Sequence, residues 1–214
     1  VLLTVLLSLL VAAGAVGTSA YLRTRADQPT PGSTTTSNPS APAICRQEPC
    51  QTIAATTLAD SRIELVVDAN GTGARLKIGA DRVVESRLPG RRAVLGPKSL
   101  SCVASALSAC LIKGSLANGV DSGTIGEVIV SRSGKWSTTS PIYYTTTEHQ
   151  SLVNVTGDGA PELVAVQRGN SGYYLQAFSL DGSDLGCTPT VPKLDRLPGW
   201  PEPKPDQHQL KTCP

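Results

Sequence analysis

Two groups of residues in this sequence have the types and spacing that chemistry requires, and both lie within residues 149–172. Asn154, Thr156, Asp158 and Glu162 place side-chain oxygens along a turn that holds Gly157 and Gly159 and leads into the apolar run Leu163-Val164-Ala165-Val166. Oxygens spaced in this way can ring a hard cation, and calcium is the candidate. Only Asp158 and Glu162 carry charge, whereas a firm calcium site wants several anionic oxygens. The expectation is therefore either a tight β-turn or a weak calcium site. The second group is Gly169-Asn170-Ser171-Gly172 with His149 upstream. A serine nucleophile needs a positioned base and an acid to orient that base. His149 is the sole histidine before Ser171, and its short separation from it does not match a base and nucleophile carried on two barrel halves. Ser171 is read as a hairpin-loop residue, with His149 and Ser171 kept as a weak catalytic alternative. His208 sits in a proline-rich tail and reads as a solvated side chain. The chain contains no GxSxG, phosphate-loop or HExxH pattern.

Residues 154–163, NVTGDGAPEL, resemble the calcium loop of FG-GAP and VCBS-type β-propeller repeats, in which an acidic, glycine-rich loop precedes a strand. Asn154, Thr156, Gly157, Asp158, Gly159 and Glu162 carry the resemblance. It extends to residue 180 if the following hairpin is counted as the rest of a blade. The resemblance implies a propeller blade, with Asn154, Thr156, Asp158 and Glu162 as the calcium ligands. Asn and Thr stand where that pattern has carboxylates, which implies weakened or lost binding. Residues 68–73, DANGTG, are a fainter relative through Asp68 and Asn70.

The elements that must position these residues alternate with a period of two. Ile63, Leu65 and Val67, then Leu76 and Ile78, then Glu127 to Arg132 followed by Ser133-Gly134 and Lys135, read as strands joined by turns. Residues 101–109 are the one stretch where a helix rivals a compact turn. Residues 138–147 read as an edge strand. Three regions, starting at 63, 110 and 162, share the order strand, glycine-rich turn, strand, turn, strand. Their spacing of about 50 residues lies in the range of propeller-blade repeats. The expected fold is mainly β: a disulfide-bonded domain of antiparallel hairpins, arranged as an open propeller-like assembly, a sandwich or a barrel, after an N-terminal hydrophobic helix.

Six cysteines, Cys45, Cys50, Cys102, Cys110, Cys187 and Cys213, all follow the apolar N-terminal segment. An even number in an exported chain reads as a disulfide framework. Proximity along the chain favours Cys45–Cys50, Cys102–Cys110 and Cys187–Cys213. Residues 1–22 carry no charge, and at 1.5 Å rise per residue such a run can cross a hydrocarbon layer of ~30 Å. They are expected to form a transmembrane anchor or a cleaved signal segment, so the protein is single-pass at the cell membrane or secreted. The chain holds no methionine, so either residues precede Val1 or Val1 replaces the initiator. Residues 23–43, rich in Pro, Ser and Thr, read as a disordered tether. A β domain over 44–187 and a proline-rich arm over 188–214, pinned by Cys213, complete the organisation. In that arm Trp200 is read as a core plug.

The 214 residues carry 19 basic and 17 acidic side chains, too even a balance to hold nucleic acid. No cofactor other than the weak calcium alternative is expected. The leading functional reading is a non-catalytic interaction or binding module, tethered outside the membrane to reach a cell-envelope or extracellular partner. A binder of this kind should present an exposed patch, with Tyr143, Tyr144, Tyr173, Tyr174 and Trp200 as its candidates. A cell-envelope hydrolase and a purely structural envelope protein are the alternatives.

Overall fold

Period-two alternation is realised as three antiparallel sheets. The structure, a computed structural model, describes residues 45–116 and 123–214; the expected anchor (1–22) and tether (23–43) lie outside the described residues. Sheet A runs β1 (Gln51–Leu58), β2 (Ser61–Val67), β3 (Ala74–Ile78) and β4 (Arg82–Ser86), each beside the next. Sheet C has the same order in β10 (Gln150–Val153), β11 (Glu162–Gly169), β12 (Gly172–Phe178) and β13 (Asp184–Cys187). Sheet B places β5 (Ala93–Val94) and β6 (Leu100–Val103) on one edge of β7 (Ala109–Leu116) and continues to β8 (Gly123–Arg132) and β9 (Lys135–Thr145). The three regions singled out in the sequence thus contribute β2, β7 and β11, the strand that follows the first edge in each sheet.

Local chemistry explains the turns. Ser133 and Gly134 both take positive φ, 49° and 75°, which closes the β8–β9 hairpin in the tight form that suits twisted strands. Residues 101–109 resolve their ambiguity as a hairpin, because Cys102 and Cys110 face each other directly across β6 and β7 and are disulfide-bonded. The other two disulfides join Cys45 to Cys50 and Cys187 to Cys213. Residues 88–98 contain a short 3-10 turn, Pro89–Arg91, and β5. Among the described residues no helix is long and apolar enough to cross a membrane.

The faces of each strand go to different cores, as alternation requires. Ile63, Leu65, Leu76 and Ile78 of sheet A pack with Cys110, Ile112, Ile125 and Ile129 of sheet B. The opposite face of sheet B, with Ala109, Leu111, Val128 and Val130, packs with Leu152 and Leu163 of sheet C. The remaining face of sheet C packs against Leu194, Leu197, Trp200 and Leu210 of the arm. Each fully buried Ile or Leu contributes about 1.5–3 kcal/mol by transfer from water, so three consecutive apolar interfaces dominate the fold. The arm runs over sheet C with two short 3-10 turns, Leu194–Arg196 and Gln207–Gln209, and is held by bridges from Val191 to Tyr173 and from Lys211 to Cys187.

One carboxylate lies inside the first interface. Glu127, 0% exposed, accepts hydrogen bonds from the Ser86 hydroxyl (2.9 Å), the Arg87 backbone N–H (2.9 Å) and Arg87 Nε (2.5 Å). The Arg87 guanidinium also donates to the Thr139 and Ser140 carbonyls. A buried charge is tolerated only when paired and fully hydrogen-bonded. Glu127 therefore fastens the end of β4 to sheet B.

Candidate functional site

The glycine-rich loop before β11 is closed on itself. Glu162 is 4% exposed, and its Oε2 accepts from the Val155 N–H (2.6 Å) while its Oε1 accepts from the Thr156 hydroxyl (2.7 Å). Asn154 Oδ1 accepts from the Gly157 N–H (2.7 Å), and Asp158 Oδ1 from the Ala160 N–H (2.9 Å). Asn154, Asp158 and Glu162 thus each have an oxygen bonded to the loop's own donors, and the Thr156 hydroxyl is one of those donors, the arrangement of turns that side-chain oxygens stabilise. The fainter loop behaves alike. Asp68 Oδ1 accepts from the Arg46 N–H (2.9 Å) and faces Arg75 Nη1 at 3.4 Å, and Asn70 Oδ1 accepts from the Thr72 N–H (3.0 Å). Among the described residues no group of three or more His, Cys, Asp or Glu is placed to hold a metal ion.

His149 and Ser171 are set on different parts of sheet C. The His149 carbonyl accepts from the Val166 N–H, which fixes the residue opposite the middle of β11. Ser171 lies in the tip that joins β11 to β12, beyond the Gly169–Gly172 pair. The tip begins three residues further along β11 than Val166, about 10 Å at ~3.3 Å per residue. The His149 ring packs on Trp200, with centroids 4.8 Å apart, and its Nδ1 is buried without a hydrogen-bond partner. Burial, and next the positive charge of Lys113, hold the His149 pKa below the ordinary value, with Glu148 opposing. A neutral, stacked imidazole is what this setting stabilises. His208 is exposed in its 3-10 turn, where its backbone N–H donates to Asp206 Oδ1.

The aromatic residues do not gather into one surface. Tyr143 is buried between sheets B and C, its hydroxyl donating to the Ser179 carbonyl at 2.9 Å, and burial pushes the phenol up to about 12. Tyr173 lies under the Arg168 guanidinium at 5.9 Å on the arm side of sheet C. Tyr144 is exposed on β9. Trp200 is half-buried in the arm interface, the place expected of a plug.

What the structure does assemble around His149 is a cleft of about 600 Å³. Its floor is β10 with Val164 and Val166 of β11; one wall is Ser101 and Val103 of β6 with Lys113 of β7; the other is Pro201 to Lys204 of the arm. Gln150 positions the floor. It is buried, and its Nε2 donates to the carbonyls of Thr124 (3.3 Å) and Tyr143 (3.4 Å), which ties β10 to sheet B. Its Oε1 meets the backbone of Gly126 so closely that any Cβ there would collide with it. Gly126 is therefore a close-approach glycine on which the cleft depends. The Lys113 ammonium reaches the Gln150 carbonyl at 3.4 Å. Burial lowers its pKa, Glu148 raises it and Lys98 lowers it further. A shallower depression that also contains Lys113, Lys98 and Glu148 adjoins. The lining, apolar strand faces with a few lysines, suits reversible binding of a chain or small molecule.

Comparison with known protein families, with curated proteins and with solved structures gives no match for this chain.

Proposed function

We propose that this protein is an exported, membrane-anchored binding module that holds a cell-envelope or extracellular partner in the cleft between β10 and the arm. The observation that carries the reading is the cleft itself, about 600 Å³ with an apolar floor and convergent polar groups. The disulfides agree with folding in an oxidising compartment, and the uncharged residues 1–22 agree with export or anchoring. The three stacked meanders are best described as an open, propeller-like arc, with the loop at 154–162 as a turn descended in form from the FG-GAP type. First-edge strands that neighbour one another, β1 with β6 and β6 with β10, support this description. The reading requires no cofactor.

Photo-crosslinking tests it. A photoreactive residue at Ser151 or Lys204 of the full chain, expressed in its own cell, is expected to give one discrete adduct from the outer side of the membrane. The same group at Asn170, on the hairpin tip, is expected to give none. Equal labelling from all three positions, or none from the cleft, overturns the reading. A cleft variant that abolishes hydrolysis of an envelope substrate would favour the hydrolase alternative instead.

A further inference from the structure

We propose that the cleft takes an extended peptide bearing a carboxylate, which joins sheet C as an added strand along the free edge of β10. This rests on the reading of the cleft as a binding site and specifies its ligand. In an antiparallel ladder, alternate residues direct both backbone groups to the neighbour and the rest direct them away. The His149 carbonyl accepts from Val166 and β10 runs in unbroken register with β11, so residues 149, 151 and 153 face β11. Gln150 and Leu152 face the other way. The Gln150 carbonyl confirms the direction, since it meets Lys113 Nζ from sheet B. Among the described residues no strand pairs with that edge, so the Leu152 N–H and carbonyl have no ladder partner. Both residues line the cleft.

The space beside this edge belongs to the cleft. Sheet C ends at β10, and Ser101 and Val103 of β6, on the neighbouring edge of sheet B, line one wall of the cleft beside it. An added strand would lie over that wall and supply the partners that Leu152 lacks. β10 has four residues, about 13 Å at ~3.3 Å each, so a peptide of four or five residues matches it. Exposed strand edges ordinarily recruit extended chains, with main-chain bonds giving affinity and side chains giving selectivity. Charge sets the selectivity here. Lys113 and Lys204 line the cleft with Glu202 as its one acidic side chain; Lys113 hydrogen-bonds the Gln150 carbonyl at 3.4 Å, and Glu148 and Lys98 act on it from the adjoining depression with opposite charge. A carboxylate placed beside Lys113 would give its ammonium a charged hydrogen-bond acceptor within the cleft.

Four synthetic probes test this on the full chain by amide nuclear magnetic resonance: acetyl-TVTVD-amide, the same peptide ending in lysine, and two forms of the aspartate peptide N-methylated at alternate residues, one in each register. The aspartate peptide is expected to shift the Gln150 and Leu152 amides saturably and to slow exchange of the Leu152 N–H at least tenfold. The lysine peptide should bind at least fivefold more weakly, and N-methylation in the register facing β10 should abolish the effect. Saturable shifts indifferent to N-methylation overturn strand addition while leaving a binding cleft. Equal affinity for the aspartate and lysine peptides overturns the carboxylate preference. If no probe moves a cleft amide, the peptide proposal falls, and the crosslinking result decides separately whether the cleft reading falls with it.

Discussion

Sheet A turns Glu64, Arg75, Lys77 and Glu85 away from sheet B, whereas sheet C turns Val164, Val166, Leu175 and Ala177 away from sheet B. Both are last faces of the stack, and among the described residues no further sheet covers either. On sheet A the charges answer one another: Lys77 with Glu64 at 3.6 Å, Arg46 with Glu85 at 2.8 Å and Arg75 with Asp68 at 3.4 Å. Water reaches the Arg46–Glu85 pair on that face, the Arg75–Asp68 pair is buried, and the short Cys45–Cys50 clip lies beside them. On sheet C an apolar face would be left open, so residues 188–214 lie over it and Cys187–Cys213 holds them. A stack of sheets needs end faces that differ from its middle, either polar or covered. This chain uses one device at each end, and the cleft exists only at the covered end because the arm forms its wall.

The largest expected effect comes from releasing the arm. Loop-closure entropy assigns about 3.5 kcal/mol to a crosslink spanning 26 residues and about 2 kcal/mol to one spanning 5. Replacing both Cys187 and Cys213 by Ser should therefore cost clearly more stability in urea titration than replacing Cys45 and Cys50. Equal losses would break the contrast between the ends. Leu175→Ala, at a residue 0% exposed between sheet C and the arm, should cost about 3 kcal/mol. On sheet A, Arg75→Met should cost about 3 kcal/mol because it strands the buried Asp68 carboxylate. Lys77→Ala, on the solvated part of that face, should cost under ~1 kcal/mol and less at high salt.

The loop at 154–162 sharpens the contrast from within the covered end. Glu162→Gln weakens the acceptor of the Val155 and Thr156 donors and should lower stability by about 2 kcal/mol. Millimolar calcium should leave the melting temperature of the wild type unchanged; a rise of several degrees would restore the loop as a cation site.

The smallest effect concerns pH. His149 has a folded pKa below its unfolded value near 6.5, so the unfolded chain binds the proton more readily. Its contribution to stability is complete above about pH 6.5 and is lost as pH falls towards the depressed folded value. Lys113, Glu148 and Trp200 are the groups around it. His149→Gln should flatten the decline in melting temperature between pH 7 and pH 5.

The sequence was most readable where strands are buried on a regular period. Ile63, Leu65, Leu76 and Ile78 alternate cleanly, and the hairpin at Ser133-Gly134 follows from its turn residues. First-edge strands left little trace. β1 is largely exposed, β5 has two residues and β10 four, too few to set a period. The expected site was legible only as a list of reactive side chains. Nothing in Glu162 or Asn154 reveals that they bond their own loop, and nothing in His149 reveals Trp200, some fifty positions later, as its neighbour. The cleft escaped because it joins β6, β7, β10 and the arm, and the informative residues were bland: Gly126, which admits Gln150, and Leu152, whose backbone edge is free.

Amide hydrogen exchange on the full chain, wild type against the variant with Cys187 and Cys213 replaced by Ser, tests the central claim most directly. The account predicts faster exchange in β12, β13 and residues 188–212, with β2 and β3 unchanged. Acceleration spread evenly over sheets A, B and C would contradict it.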